Sequence, residues 1–225
     1  MIRMGGKSRL GKRIVEAIYN HVDGAPVDYV WWEPFVGGGN VIQHVQGHAY
    51  GTDADEDLIA ALIAIRDNPE SLPKDNTEYT EQDYKNRKPS PVAPFSYSVG
   101  GKKWGGWMRG SHGRDYVAEA YRSAQKQSPL LEFKQFYTGD YREFDFGCTE
   151  MIIYCDPPYT KTTKYESGID HNEFYNWCSE QASRGYQVFV SEYGAPFEQI
   201  AEWGHNTTFS KQTAKKTTER LFAVC

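Results

Sequence analysis

Residues 27–62 read VDYVWWEPFVGGGNVIQHVQGHAYGTDADEDLIAAL, and the order of residue types along them decides the fold. Val27 to Trp32 are mostly β-branched or aromatic, as in a strand. The run breaks on Glu33-Pro34-Phe35-Val36-Gly37-Gly38-Gly39, a turn that no regular element tolerates. Asn40 is placed to cap a short helix through Gln46, which Gly47 closes. His48 to Thr52 reads as a second strand ending at Asp53. Beyond it Leu58, Ile59, Leu62 and Ile65 recur at helical spacing, with Asp55, Glu56 and Asp57 at the positive helix start. Strand, glycine turn, helix, strand, acid, helix is the opening of a parallel α/β sheet.

In such a sheet ligands bind beyond the carboxyl ends of the strands, where a glycine turn lets backbone approach them closely. Asp53 is suited there to accept hydrogen bonds from ribose hydroxyls. The glycines do not follow G-x-G-x-x-G, which points to a nucleoside-bearing ligand other than NAD.

A second stretch, MIIYCDPPYTKT at 151–162, ends a buried strand abruptly on Asp156-Pro157-Pro158-Tyr159. The prolines fix an extended turn and offer no N–H, so the Asp156 and Pro157 carbonyls remain as acceptors. Tyr159 adds a flat face. Carboxylate, carbonyl and aromatic face together suit a planar group with an exocyclic amine, as in enzymes that work on a base taken out of its helix.

Elsewhere proline and glycine break regularity from about residue 68 to 115. A helix is expected over 116–127, strands near 133–137 and 151–155, a helix over 171–183 and a strand over 187–191. A short helix is expected over 197–203, then two last strands, 207–209 and 221–224, paired at the sheet edge.

The chain of 225 residues can bury one core with a smaller inserted subdomain. It has no long apolar run and no signal-peptide core at its start, so a cytoplasmic protein without a membrane partner is expected. Cys148, Cys155, Cys178 and Cys225 show no C-x-x-C pair and read as reduced thiols. His44 and His48, four apart but separated by Gly47, read as surface residues and not a metal site. The net charge of −5 conceals an asymmetry: Tyr84 to Lys126 holds nine basic residues and two acids. Because phosphate attraction is local under physiological screening, this segment is expected to face nucleic acid.

In this order the motifs resemble those of the Dam-type (D12 class) DNA adenine-N6 methyltransferases, over nearly the whole chain. MGGKSRL at 4–10 is similar to their N-terminal cofactor motif, and EPFVGGGNV at 33–41 to their F-x-G-x-G motif. GTDADEDLIAAL at 51–62 resembles their ribose-binding acid and helix, FYTGDY at 136–141 the motif contacting the cofactor adenine, and DPPY the catalytic motif. ERLFAVC resembles their final strand. The resemblance implies a Rossmann-like methyltransferase fold: a mostly parallel sheet with an antiparallel C-terminal edge strand. It implies a catalytic domain over 1–67 and 133–225 and an inserted target-recognition region over 68–132.

It further implies that Arg3, Lys7, Phe35, Gly37, Gly39, Asp53, Asp140 and Asp156 line a site for S-adenosyl-L-methionine, which leaves as S-adenosylhomocysteine. Arg3 departs from the family, whose best-known members carry an aromatic there. Asp156, Pro157, Pro158 and Tyr159 would hold a flipped-out adenine of double-stranded DNA for direct in-line methyl transfer to N6. Lys102, Lys103, Trp104, Trp107, Arg109 and Arg114 interleave cations with aromatics and are the expected DNA contacts. No metal and no obligate protein partner are demanded. An orphan or phage-type modification enzyme is the expected setting. Cytosine N4, RNA adenine, a glutamine amide, or DNA binding without catalysis remain alternatives.

Overall fold

The structure is a computed structural model that describes residues 1, 5–23, 28–111, 113–148, 150–158, 169–207 and 215–225. Arg3 and Tyr159 lie outside the described residues.

Helix α1 (Gly11–His21) precedes strand β1 (Val30–Glu33), followed by β2 (Ala49–Asp53) and α2 (Glu56–Asp67). Short helices α3 (Glu81–Lys85) and α4 (Ala93–Ser96) lead to α5 (Tyr116–Leu131). Then come β3 (Lys134–Thr138), β4 (Met151–Cys155), α6 (His171–Ser183), β5 (Gln187–Glu192), β6 (Glu198–Thr207) and β7 (Lys215–Val224). The strands form one sheet in the order β3-β2-β1-β4-β5-β7-β6. The first five are parallel, and β7 runs antiparallel to both β5 and β6. The fold is Rossmann-like: strand order reverses between β1 and β4, which opens a crevice at their carboxyl ends.

Alternation along the strands divides the core. Trp31, Ile152, Tyr154, Phe189 and Leu221 pack in one cluster with residues of α1, α2 and α5. Trp32, Ile153, Cys155, Val188 and Val190 pack in a second cluster with Phe174 and Cys178 of α6. Covered on both faces, β4 is buried at every position, which is why its sequence is an unbroken apolar run. Phe95 and Tyr97, from the irregular 68–115 stretch, join the first cluster and so tie that stretch to the main core.

Three expectations need correction, and one helix is new. The helix expected over 40–46 is only a single turn, Ile42–His44, with no side-chain cap; Asn40 is buried and its amide donates to the Met1 carbonyl (3.4 Å). The helix expected over 197–203 falls in the first part of β6: antiparallel pairing with β7 along a ten-residue strand, with a bulge between Gln199 and Ala201, overrides a short ambiguous apolar pattern. Helix α1 was not anticipated, although Ile14, Val15 and Ile18 recur at helical spacing and are buried. The 68–115 stretch also contains helical turns, one of them opened by a reciprocal Thr80–Asp83 capping box. Among the described residues no helix is long and apolar enough to cross a membrane.

Candidate active site

The carboxyl ends of β1, β2 and β4 surround the crevice. From β1 the chain turns through Gly37 (φ 52°) and Gly39 (φ 68°), backbone angles that an L side chain rarely adopts. A Cβ on Gly39 would meet Leu62 Cδ2 at 3.0 Å and Gln127 Nε2 at 3.2 Å, so this glycine lets the turn lie against α2 and α5. On Gly37 the nearest atom would be the Phe35 carbonyl oxygen at 4.0 Å, which leaves the backbone open to approach.

Asp53, at the end of β2, braces this turn. Its carboxylate accepts from the Gly37 N–H (3.2 Å) and from the Asp55 N–H (3.1 Å). The next strand end is tied on by Gly139 N–H to the Asp53 carbonyl (3.1 Å), which puts Asp140 beside the same crevice. Asp140 accepts from the Arg142 backbone and guanidinium, and those bonds hold its carboxyl below the usual range. Phe35 is half-buried and packs on Tyr141 and Phe174. Its ring is therefore part of the second core cluster as well as the turn.

At the β4 end Asp156 follows directly on Cys155, with Pro157 buried and Pro158 half-buried behind it. Lys7 Nζ lies 2.7 Å from Asp156 Oδ1 and 3.5 Å from Glu219 Oε1. Burial disfavours the Lys7 charge, but Asp156 and Glu219 outweigh it and hold the ammonium above its ordinary pKa. Lys7 thereby joins the N-terminal segment to the ends of β4 and β7.

Sequence reading assigned no role to three further carboxyls here. Glu33, 2% exposed, receives the Trp31 indole N–H at 3.0 Å. Burial pushes it well above the carboxylate range, the Trp31 bond opposes this, and the negative Asp156 adds to it. Glu192, 1% exposed at the end of β5, accepts the Tyr193 N–H through Oε1, while Oε2 has no partner. Burial lifts it to about 7. Glu219 is the acid that Lys7 bridges to Asp156. The signal for all three was their position: each stands at the crevice end of a strand or beside a motif residue. Among the described residues no cluster of histidines, cysteines and acids has the arrangement of a metal site.

Of the expected DNA contacts, Lys103 reaches the edge of this crevice through Asp55, whose N–H the Asp53 carboxylate accepts. Lys102 is exposed, whereas Lys103 is held by Asp55 (2.7 Å) and Asp57 (2.8 Å) at the start of α2. Arg109 is bound to Glu81, and Arg114 to Glu119, with its guanidinium also over the Tyr116 ring. Trp104 and Trp107 are half-buried against Tyr84.

Residues 4–90 match the D12 class N6 adenine-specific DNA methyltransferase family. Over that span the resemblance read from the motifs is borne out. The matched span contains Lys7, the glycine turn and Asp53; Asp140 and Asp156 stand beyond it. No curated protein matches the chain. Among solved structures it is similar to the methyltransferase candidate SMU.472 in complex with SAH, at 11% identity and a TM-score of 0.41, over 97% of this chain and 52% of that one. The chain thus spans about half the length of SMU.472. It is also similar to the methyltransferase candidate yhhF from Escherichia coli (12% identity, TM-score 0.36, 94% of this chain and 84% of that one). A third is the N-terminal domain of human METTL16 in complex with SAH (8% identity, TM-score 0.39, 94% and 66%).

Proposed function

We propose that the chain transfers a methyl group from S-adenosyl-L-methionine to N6 of an adenine extruded from double-stranded DNA. One observation carries this reading. Where strand order reverses, a glycine turn braced by Asp53 faces a proline-stiffened Asp156 held by a buried lysine.

The residues fit the cofactor. Open backbone at Gly37 accommodates a bulky nucleoside, and the Asp53 carboxylate, oriented by the Gly37 and Asp55 N–H groups, stands at the strand end where ribose hydroxyls would lie. Asp140, beside Asp53, is placed for the cofactor's adenine. When bound, S-adenosylmethionine supplies a methyl group activated by the sulfonium charge.

The chain's own residues then act on the acceptor amine. Its lone pair is conjugated into the purine ring and makes a poor nucleophile. Hydrogen bonds from N6 to the Asp156 carboxylate and the Pro157 carbonyl favour a pyramidal nitrogen and direct its lone pair at the donor. Lys7 fixes the carboxylate's orientation, and the buried ends of β4 and β5 exclude water. Positioning, not covalent catalysis, supplies the rate. Tyr159 would stack on the base.

Residues 68–132 serve as the target-recognition region, with Lys102, Lys103, Trp104, Trp107, Arg109 and Arg114 facing the duplex. The exposed pairs that neutralise several of these cations are weak in water and exchange readily for phosphates.

Incubation with methyl-labelled S-adenosylmethionine and DNA, with RNA and protein as parallel acceptors, tests the reading. Label is expected in N6-methyladenine of duplex DNA. Label confined to cytosine, RNA or a glutamine amide moves the substrate assignment; no donor uptake by calorimetry ends it.

A further inference from the structure

Residues from 81 to 109 line a surface hollow that shares no residue with the crevice at the ends of β1, β2 and β4. It measures about 400 Å³, within the roughly 300–1,000 Å³ span of small-ligand pockets. One wall is aromatic: the Tyr84 ring lies 5.0 Å from that of Trp104 and 5.5 Å from that of Trp107. The rim is cationic, with Lys85, Arg87 and Arg109 all exposed. The acid of the lining, Glu81, is bonded by Arg109 (2.7 and 3.2 Å) and Lys85 (2.9 Å), and those bonds lower its carboxyl to about 2. The lining therefore keeps a net positive charge.

Backbone strain converges on the same place. Among the described residues, Arg87 (φ 51°) and Trp104 (φ 50°) are the non-glycine residues with positive φ, and both line this cavity. That conformation is unfavourable for a bulky side chain and persists only where surrounding bonds enforce it. Arg87 N–H donates to the Tyr84 carbonyl (3.0 Å) and Trp104 N–H to the Pro94 carbonyl (2.8 Å). The Arg87 guanidinium lies 5.6 Å from the Trp104 ring centroid. Two strained residues, one aromatic and one cationic, are thus locked against each other at the mouth of one pocket.

The chemistry selects an occupant. A cationic guest, which aromatic walls alone would welcome, is repelled by the rim. A purely apolar guest would desolvate the cations without pairing them. A flat ring carrying a phosphate satisfies both walls. The basic segment continues beyond the pocket to Lys126, which favours a nucleotide within a strand over a free one.

We propose that this cavity holds one nucleotide of the nucleic-acid substrate, separate from the reacting adenine, its base against Trp104 and Trp107 and its phosphate against Lys85 and Arg87. The inference rests on the nucleic-acid reading above and deepens it by naming a base-holding subsite outside the reaction centre.

Arg87→Gly is the decisive variant, because it removes the cation and also relieves the strained backbone. Its thermal midpoint should equal or exceed that of the wild type. Its affinity for an adenine-containing fluorescent duplex, read by anisotropy at low salt, should fall about fivefold. With the wild type, an abasic scan of that oligonucleotide should find one position, other than the reacting adenine, whose loss weakens binding about tenfold. Unchanged affinity in Arg87→Gly, or an abasic scan without such a position, overturns the proposal. So does saturable binding of AMP or GMP at this pocket that an oligonucleotide fails to displace. Methyl transfer by the wild type, run in parallel, separates the two readings: transfer together with either negative result removes only the subsite, and loss of all DNA binding removes both.

Discussion

The crevice at the strand ends and the 81–109 segment both rely on lysines, arginines and carboxylates, yet they use them in opposite ways. At the crevice the central pair is buried: Lys7 is 7% exposed and its partner Asp156 20%. Two further buried carboxyls, Glu33 and Glu192, feel the negative Asp156, and burial first and that charge second favour their protonated forms. In the 81–109 segment the pairs lie at the surface, with Lys85 58% and Arg109 74% exposed. A buried pair fixes geometry because breaking it strands a charge in a poor dielectric. A surface pair costs little to open, so it can hold a cation in place until a stronger anion arrives. The difference separates a rigid reaction centre from a replaceable electrostatic surface.

Four substitutions would break or sharpen that contrast, the largest effect first. Lys7→Met takes away the cation between Asp156 and Glu219 and should destabilise the fold by about 3–5 kcal/mol in urea titrations; a loss below 1 kcal/mol would show that the pair is solvated after all. Asp156→Asn keeps the side chain's size and leaves Lys7 with Glu219, so the protein should stay folded while methyl transfer falls about 10²–10³-fold. Near-normal turnover would remove Asp156 from the reaction.

Glu192→Gln probes burial directly. The folded-state pKa is raised from 4.5 to about 7, so the folded protein holds this proton more tightly than the unfolded chain does. The associated stability is fully present below pH 4.5 and is lost as pH rises through about 7. The variant should match the wild type in mild acid and exceed it by about 1–3 kcal/mol at pH 8. Parallel denaturation curves with no pH-dependent gap would contradict this. The smallest effect belongs to Lys103→Ala, which should change stability by less than about 1 kcal/mol. Because Asp55 and Asp57 already hold Lys103, it should flatten the salt dependence of DNA binding less than Lys102→Ala does. Equal slopes for the two variants would mean that the acids release Lys103 completely.

Much of the sheet was legible because local pattern and tertiary environment agree. The apolar run 151–155 is β4 residue for residue, and the helix expected over 171–183 is α6. Asp170 explains that second agreement: its side chain accepts the Asn172 and Glu173 N–H groups and starts the helix where the sequence indicates. Failure occurred where a distant partner outvoted the local pattern, as when β7 drew 198–203 into a strand. Motif order singled out Lys7, Gly37, Gly39, Asp53, Asp140 and Asp156, and the structure brings these residues to one crevice. Glu33 and Glu219 stood inside quoted motifs without an assigned role, since a glutamate's burial is invisible until the strands on either side of it are placed.

Sequence by itself determined that a glycine turn, an acid-tipped second strand and a proline-stopped strand recur in one order, because backbone stereochemistry and side-chain period are local properties. Only the tertiary structure decided which charges neutralise which. It set Lys7 between Asp156 and Glu219, turned Lys103 and Arg109 onto acids outside or at the edge of their own segment, and gathered Arg87 and Trp104 around one cavity. Charge pairing and burial depend on distances through space between residues far apart along the chain, and these exist only once the sheet has closed its order.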